Sequence, residues 1–340
     1  MIAAVAFRNF KALRNASVEL GPFNLVLGPN GSGKTSLIEA LLHLRGLSKL
    51  PPVDDTILLT KTDTPDLTFR FSPPYDEIQV RLGCVDDLAC DALHFTPAGS
   101  AAWTELRTKL GKVRSYVFDH SAMANPAPHI AHQADELLPN GQNLAAVIAT
   151  LQERAPASFA ALSSEVIRLF PEFSRMEVQS RPENTVALVF TLADGTGRVE
   201  GEDVSQGMLY TLAVLALSFL SDPPSILCIE EIDRGIHPRM LREIRDALYR
   251  LSYPADFGLT RPAVQVIATT HSPYLLDLFR DHPEEIIISQ KHGTVAQFQR
   301  LADRKDLPQL LQEGSLGDLW FSGILGGIPE EGLTADVPRP

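Results

Sequence analysis

A loop near the start of the chain carries the residue types that bind phosphate. Residues 28–36 read GPNGSGKTS, which contains the spacing G-x-x-x-x-G-K-[ST]. Glycines let such a loop curl until its backbone N–H groups face phosphate oxygens, and the dipole of the following helix favours the same anions. Lys34 is placed to reach the β and γ oxygens, and the Thr35 hydroxyl to bind Mg²⁺. The spacing predicts a site for a nucleoside triphosphate.

An acidic pair supplies the second half of this chemistry. Glu230 and Glu231 follow the apolar run Ile226–Ile229, so a strand there carries both carboxylates to the C-terminal edge of a sheet, where open α/β folds bind ligands. One carboxylate can hold Mg²⁺ and the next can orient an attacking water. Alone, the pair also fits a solvated acidic turn, and the phosphate loop makes the catalytic interpretation the stronger one.

Two further segments fit the same site. The aliphatic strand predicted at 264–268 delivers His271 at its C-terminal end, where the imidazole can touch a γ-phosphate. Ser205, Gln206 and Gly207 precede a long apolar helix, and a Ser/Gly helix start is a second anion site. Each segment alone has a simpler explanation, which is a structural histidine in the first case and a capped helix in the second.

The elements that position these residues follow from hydrophobic patterning. Short β-favouring runs at 2–7 and 23–27 precede a helical pattern from 34 to about 47. After residue 204, near-continuous aliphatic runs alternate with helical segments, as in buried parallel strands joined by crossover helices. The predicted strands there are 226–229, 264–268 and 286–288, and the predicted helices are about 208–220, 238–251 and 273–280.

The region between these halves differs in composition. It opens with many Pro, Asp and Thr residues, and short extended candidates at 67–71 and 78–85 flank a Pro-Pro turn. Helical spacing at 143–151 and 159–170 and a strand at 185–192 follow. We therefore predict an α/β head built from 1–47 and 201–340, with an inserted lobe of strands and helices at 48–200.

Composition sets outer limits on the fold and the partners. The 340 residues are 44% hydrophobic and 21% charged, which fits a folded globular protein. The net charge of −12 argues against a surface covered in basic residues, although the first 50 residues hold six Lys/Arg against two Asp/Glu. The apolar run 208–220 is too short to cross a bilayer, and Arg8 precedes any long apolar stretch, so we expect neither a membrane segment nor a signal peptide.

The cysteines point to a compartment. The count and spacing of the three cysteines, Cys84, Cys90 and Cys228, do not suggest a disulfide framework. Cys84 and Cys90 also lack the second pair of ligands that a zinc site needs. We therefore expect no disulfide framework and a reducing cytoplasm.

Four motifs in this order resemble one family. The segments GPNGSGKTS, VSQGM, ILCIEEIDRGIHP and VIATTHSPYLL are similar to the Walker A, signature, Walker B with D-loop, and switch-histidine motifs of ABC-type ATPases of the RecF/SMC-like branch. The segments 7–11 and 314–320 resemble the start and end of the small bacterial AAA-family ATP-binding proteins of that branch, which lack the long coiled coil. The resemblance implies a P-loop NTPase head of the ABC type, with a mostly parallel core sheet flanked by helices and an inserted β-rich lobe.

The resemblance also implies a cycle shared by two chains. ATP on the Walker A loop of one subunit is clamped by the signature of the other, so the family predicts an ATP-dependent homodimer that uses ATP and Mg²⁺. The implied nucleotide contacts are Asn30, Gly31, Ser32, Gly33, Lys34, Thr35 and Ser36 in one subunit, with Ser205, Gly207 and Asp233 acting across the interface. The resemblance implies that Glu231 is the general base or the residue that orients the attacking water, that Glu230 and Thr35 hold the magnesium, and that His271 senses the γ-phosphate.

This chain departs from the family pattern at three places. Glu230 stands where most ABC proteins carry Asp, although the small ATPases commonly show Glu-Glu. The sequence Ile-Asp-Arg at 232–234 replaces their usual Pro-Glu-Asn, which bears on the role of Asp233. Gln206 replaces the first signature glycine of transporters.

Two other groups of residues invite interpretation. Asp119, His120, His129 and His132 lie in a polar, Pro/Ala-rich stretch, and the spacing of the last two could serve a metal, although a solvated loop is the stronger interpretation because the third ligand is unclear. Trp320 and Phe321 either close the core or form a partner patch, and the core is favoured.

The biological role has more than one candidate. The leading hypothesis is an ATP-dependent dimerising switch in DNA repair or genome maintenance, with DNA or a DNA-processing protein contacted by the basic N-terminal part. The second is a regulatory ATPase of a defence or toxin-control system that acts on a separate protein effector. A transporter's nucleotide-binding subunit is disfavoured by the signature and by the RecF-like start.

Overall fold

The computed structural model describes residues 1–53, 64–129, 135–293 and 295–326. Its strands are β1 (Ile2–Phe10), β2 (Leu13–Glu19), β3 (Phe23–Leu27), β4 (Asp66–Phe71), β5 (Gln79–Cys84), β6 (Cys90–Thr96), β7 (Val113–Tyr116), β8 (Ala127–Pro128), β9 (Phe173–Arg181), β10 (Thr185–Leu192), β11 (Arg198–Glu200), β12 (Ile226–Ile229), β13 (Gln265–Thr270), β14 (Ile286–His292) and β15 (Val295–Arg300). Its α-helices are α1 (Lys34–Ser48), α2 (Ala102–Leu110), α3 (His120–Ala124), α4 (Leu144–Arg154), α5 (Pro156–Leu169), α6 (Gln206–Phe219), α7 (Leu241–Ser252), α8 (Pro273–Asp277), α9 (Leu307–Glu313) and α10 (Leu316–Phe321).

The chain forms two compact units. Unit 1 comprises Met1–Arg114, Ser225–Ile232 and Gln265–Pro340, and unit 2 comprises Ser115–Pro224 and Asp233–Val264. These units are defined by the spatial proximity of their residues. The predicted division at 1–47, 48–200 and 201–340 is defined by the order of the motifs along the chain, and it therefore stays a prediction.

A six-stranded sheet forms the centre of unit 1. Its order is β15-β14-β3-β13-β12-β7, and β14, β3, β13 and β12 run parallel. The strands β3, β12 and β13 are buried along their whole length, which is why the sequence shows them as unbroken aliphatic runs rather than alternating ones. The mostly parallel core predicted from those runs is confirmed. Parallel strands place their C-terminal ends at one sheet edge, so the residues after β3, β12 and β13 meet there.

A five-stranded antiparallel sheet packs on helix α1 in the same unit. Its order is β2-β1-β4-β5-β6, so the strand predicted at 67–71 pairs with the N-terminal strand β1, and the strand predicted at 78–85 pairs in turn with β4. Apolar side chains from β1, β4 and β5 join a buried stripe on α1 (Leu37, Leu41 and Leu44) in one core cluster. Each fully buried side chain of this size contributes about 1.5–3 kcal/mol, so the cluster anchors the helix that follows the phosphate loop.

A buried amide bonds the start of the chain to the central sheet. The Gln265 side chain accepts a hydrogen bond from Ile2 N (2.9 Å) and donates to Ile2 O (2.7 Å) and Gly21 O (2.9 Å). Because Gln265 is fully buried, these bonds satisfy backbone groups that would otherwise lose their water partners.

The cysteine prediction is wrong in one respect. Cys84 and Cys90 are joined by a disulfide bond, while Cys228 is free and buried. The antiparallel register of β5 and β6 places Cys84 opposite Cys90, so the hairpin brings together two cysteines that spacing alone did not pair.

Unit 2 combines helices with a small antiparallel sheet. In that sheet β10 pairs with β8, β9 and β11. Helix α6 is buried on nearly all sides, as its uninterrupted apolar sequence predicts, and the Tyr210 hydroxyl inside it donates to Phe118 O (2.6 Å). Among the described residues, every helix falls short of the length and apolar character needed to span a bilayer.

Candidate functional site

The phosphate loop connects β3 to α1 and depends on its glycines. Gly31 and Gly33 have φ values of +71° and +101°, which side chains disfavour. Gly28 packs against β14, since a Cβ at this position would lie 2.3 Å from the Ser289 carbonyl oxygen. The Ser289 hydroxyl also donates to Ser32 O, so β14 supports the loop from behind.

Lys34 is held inside this loop. Its Nζ donates to Gly28 O (2.7 Å) and Pro29 O (3.0 Å), and the residue is 9% exposed. Burial lowers the pKa of the Lys34 ammonium to about 8, while the charges of Glu231 and Glu230 oppose that shift. An anion in the loop would favour the charged form, so the loop is suited to bind phosphate.

Thr35 and Glu230 meet although they are far apart in the sequence. The Thr35 hydroxyl donates to Glu230 Oε2 at 2.8 Å, and Glu230 is the first residue after β12. A hydroxyl and a carboxylate side by side are the kind of oxygen ligands that Mg²⁺ prefers. This pair lies at the C-terminal edge of the central sheet, which is where the apolar strand before Glu230 predicts that carboxylate.

Glu231 adopts an unusual backbone conformation beside this pair. Its φ is +49°, in the left-handed region that non-glycine residues seldom occupy. Thr269 of the neighbouring strand β13 holds the turn, since its Oγ1 accepts from Glu231 N (3.0 Å) and its carbonyl oxygen from Ile232 N (3.0 Å). Such strain persists only where surrounding contacts enforce it, and it is concentrated at functional sites.

These residues line one cavity of about 310 Å³ in unit 1. The sequence-predicted residues that line it are Asn30, Gly31, Gly33, Lys34, Thr35, Ser36, Glu230, Glu231 and His271. His271 follows β13 directly, and the helix after it is capped by Ser272, whose Oγ accepts from Leu275 N (3.3 Å). Ser32 is buried next to the cavity, and its Oγ lacks a hydrogen-bond partner within the described part of the chain.

Three lining residues were missed by sequence reasoning as site residues: Lys11, Ala12 and Thr269. Lys11 follows β1, with its amide N donating to Asp87 Oδ1 (3.0 Å) and its ammonium paired with Glu39 of α1. It adds a second cation to the cavity. Two signals in the sequence could have identified these residues as part of the site. Lys11 ends the segment 7–11 that resembles the family's start, and Thr269 lies close to His271 in VIATTHSPYLL.

The remaining predicted nucleotide contacts lie in unit 2. Ser205 caps α6, with its Oγ accepting from Met208 N (3.3 Å), and Gly207 lies in the first turn of that helix. Asp233 begins the second segment of unit 2. Ser205, Gly207 and Asp233 are not among the described residues that line the cavity in unit 1, so their contact with nucleotide stays a prediction.

The polar residues of the 119–132 stretch act structurally where the structure describes them. Asp119 Oδ1 caps α3 by accepting from Ala122 N (2.7 Å), and His120 Nε2 lies 3.0 Å from Val204 O. His132 falls outside the described residues, and within them there is no group of three or more His, Cys, Asp or Glu side chains suited to a metal.

Trp320 and Phe321 were each predicted either to close the core or to form a patch for a partner, and the structure gives them different environments. Trp320 is buried, whereas Phe321 is 85% exposed.

The residues present fit ATP and Mg²⁺. Positive-φ glycines, a buried ammonium and a Ser32 hydroxyl without a partner among the described residues form a cradle for phosphate oxygens. The Thr35 hydroxyl and the Glu230 carboxylate would hold Mg²⁺, which when bound neutralises phosphate charge.

Fold and site together define an ABC-type ATPase of the RecF/SMC-like branch. Residues 23–277 match the family described as "AAA domain, putative AbiEii toxin, Type IV TA system", and the chain belongs to this family.

Comparison with individual proteins agrees with this class. The chain is 21% identical to the OLD nuclease of Thermus scotoductus (strain ATCC 700910 / SA-01), over 93% of this chain and 68% of that protein. A stretch of 44 residues, 13% of this chain and 12% of the relative, is 46% identical to the DNA replication and repair protein RecF of Actinobacillus pleuropneumoniae serotype 5b (strain L20).

Solved structures share the fold. The SMC head bound to the C-winged helix domain of ScpA superposes with a TM-score of 0.61 at 15% identity, covering 90% of this chain and 99% of that one. The Smc head domain with an extended coiled coil, bound to the C-terminal domain of ScpA from Pyrococcus furiosus, gives 0.55 at 14% identity, covering 92% and 98%. At these identities the likeness concerns the fold alone.

Proposed function

We propose that this chain hydrolyses ATP with Mg²⁺ and that ATP joins two copies of it into a dimer. The observation that carries the proposal is the meeting of Lys34, the Thr35–Glu230 pair and Glu231 at one cavity. Lys34 and the loop N–H groups bind the phosphates and offset their growing negative charge during hydrolysis. In the dimer, Ser205 and Gly207 of one copy would contact the ATP of the other.

Glu231 is the group proposed to orient the attacking water and accept its proton. Thr269 holds the Glu231 backbone in its left-handed conformation, which fixes the position of the Glu231 Cα from which the side chain extends. His271 lies at the end of the next strand and lines the same cavity, so it is placed to sense the γ-phosphate.

For the biological role we propose a cytoplasmic switch in DNA repair or genome maintenance. The similarity to the RecF protein over 44 residues and the basic balance of the first 50 residues favour DNA or a DNA-processing protein as partner. A regulatory ATPase of a toxin-control system is the second candidate, favoured by the family description and by the OLD nuclease as a relative.

The test uses Glu231→Gln, which keeps the shape of the side chain and removes its basicity. We expect ATP turnover to fall by about 10²–10⁴-fold while ATP binding is kept, because the loop and the metal pair are intact. The molecular mass measured with ATP and Mg²⁺ should then double. Glu19→Gln, an exposed glutamate on β2 outside the cavity lining, is the matched control and should behave as wild type.

Two results would contradict the proposal. Normal turnover in Glu231→Gln would remove Glu231 as the base, and an ATP-independent mass would count against the dimer. Repeating the mass measurement with duplex DNA separates the two roles, since salt-dependent binding that tightens with ATP supports the DNA role and its absence favours a protein effector.

A further inference from the structure

The turn that begins α6 packs directly on the loop that contains Gly235. Within unit 2, a Cβ placed on Gly235 would lie 2.7 Å from Gln206 Cδ and 2.9 Å from Gln206 Cγ. A Cβ on Gly207 would lie 2.6 Å from the Gly235 carbonyl oxygen. These separations are well below van der Waals contact. The one at Gly207 is to backbone, so the two segments lie this close because position 207 is glycine, whereas a Cβ at position 235 would require the Gln206 side chain to move.

Each of the two segments is itself a closed turn. The Ser205 hydroxyl and carbonyl both accept from Met208 N, at 3.3 and 3.1 Å, which fixes the start of α6. On the other side, Ile236 N donates to Asp233 O (3.1 Å), the Ile236 side chain is buried, and Gly235 has a φ of +69°. The contact therefore joins two ordered pieces of backbone, with the Gln206 side chain packed on Gly235.

We infer that Gly235 is a positioning residue for the ATPase. Within unit 2, its contact with Gln206 and Gly207 holds the signature turn against the turn at 233–236, so that second turn sets the orientation of the residues that clamp ATP. The inference rests on the proposed function, because that function gives the signature turn its role. The same contact gives a specific partner to Gln206, which stands where transporters have the first glycine of the signature.

The test compares two glycines with the same backbone conformation. Gly258 has a φ of +67° and, unlike Gly235, would have no described atom within 4 Å of an added Cβ. Gly235→Ala and Gly258→Ala therefore carry similar backbone strain, and the first alone adds a clash with Gln206. We expect Gly235→Ala to lower kcat by about tenfold or more, because small displacements of binding groups are costly in rate. ATP affinity of the single chain should stay within about twofold, since the phosphate loop is untouched, and Gly258→Ala should keep kcat within about twofold.

Removing the opposing side chain should abolish the difference. The Gln206→Ala substitution removes the three atoms nearest to a Cβ at position 235, so in that background Gly235→Ala should cost no more in kcat than Gly258→Ala does. Equal kcat for the two alanine variants in the wild-type background would overturn the inference, as would an undiminished loss in the Gln206→Ala background. If Gly235→Ala does not fold, Gln206→Ala alone tests the contact without adding an atom, with a kcat loss of about threefold or more expected and an unchanged kcat overturning it.

Stability measurements separate this inference from the proposed function. The changes in unfolding free energy measured by urea titration should be non-additive for the substitutions at 206 and 235. For the substitutions at 206 and 258 they should be additive. A wild-type chain that does not turn over ATP would refute the proposed function even if the changes at 206 and 235 are non-additive. Additive changes at 206 and 235 with an active wild type would refute the positioning role.

Discussion

Lys34 should make ATP binding sensitive to alkaline pH. The pKa of its buried ammonium is lowered from 10.5 to about 8, chiefly by burial, with Glu231 and Glu230 opposing the shift. One pKa unit corresponds to about 1.4 kcal/mol, so the charged form carries a penalty on the order of 3 kcal/mol in the nucleotide-free protein. Phosphate oxygens in the loop offset that penalty, because a nearby anion favours the ammonium.

The sign of the effect follows from where the proton is held. The nucleotide-free protein loses the Lys34 proton as the pH rises through 8, whereas the ATP complex keeps it to higher pH. ATP binding above pH 8 therefore takes up a proton, and affinity falls by about tenfold between pH 7 and pH 9 if ATP restores the ordinary pKa. Folding stability changes in the opposite sense, because the unfolded chain keeps this proton up to about pH 10.4 and the nucleotide-free fold gains stability between these two values.

Titration with a fluorescent ATP analogue between pH 7 and pH 9.5 measures this dependence, and calorimetry in buffers of different ionisation enthalpy counts the proton taken up. Phosphate monoesters lose their second proton near pH 6, roughly two units below the pKa of Lys34. Lys34→Arg is the matched variant, because its guanidinium stays charged and whatever affinity it retains should not vary with pH. A wild-type affinity that is constant from pH 7 to pH 9 would refute the reasoning, as would the same decline in Lys34→Arg.

Two further predictions concern stability. Gly28→Ala should cost about 3 kcal/mol in urea unfolding and weaken ATP binding, because its Cβ would meet the Ser289 carbonyl, whereas Gly46→Ala inside α1, where the described residues leave open space, should stabilise by about 0.5–1 kcal/mol. Equal midpoints for the two variants would contradict the close packing behind the loop. Gln265→Met should lower the unfolding free energy by about 2–4 kcal/mol, because it removes the partners of both backbone groups of Ile2, and a loss below about 1 kcal/mol would show that water replaces them.

Much of the central sheet was predictable from the sequence. The strands at 23–27 and 226–229 have the predicted bounds, because a strand buried on both faces shows an unbroken apolar run that ends where burial ends. The strands β2 and β9 were not predicted, since LRNASVE and FSRMEVQSR mix polar and apolar residues and owe their conformation to the partners they pair with.

The parts of the site that come from one short stretch of sequence were predictable. The contacts that depend on how neighbouring strands align were not. The loop around Lys34 has a spacing that few other structures require, and Glu230 and Glu231 were found because an apolar strand precedes them. The contact of Thr269 with Glu231 depends on the parallel alignment of β12 and β13. Lys11 reaches the cavity from a different sheet, a proximity that spacing along the chain does not contain.

The support behind the phosphate loop also constrains when the site can form during synthesis. Ser289 and Ser32 are 257 residues apart in the chain, yet they are in direct contact. Contacts of such sequence separation form late, because a long loop must close first. A ribosome that has released only the first half of the chain has therefore made the phosphate-binding sequence without the strand that shapes it. A nascent chain should become able to bind nucleotide only after β14 has emerged and paired with β3.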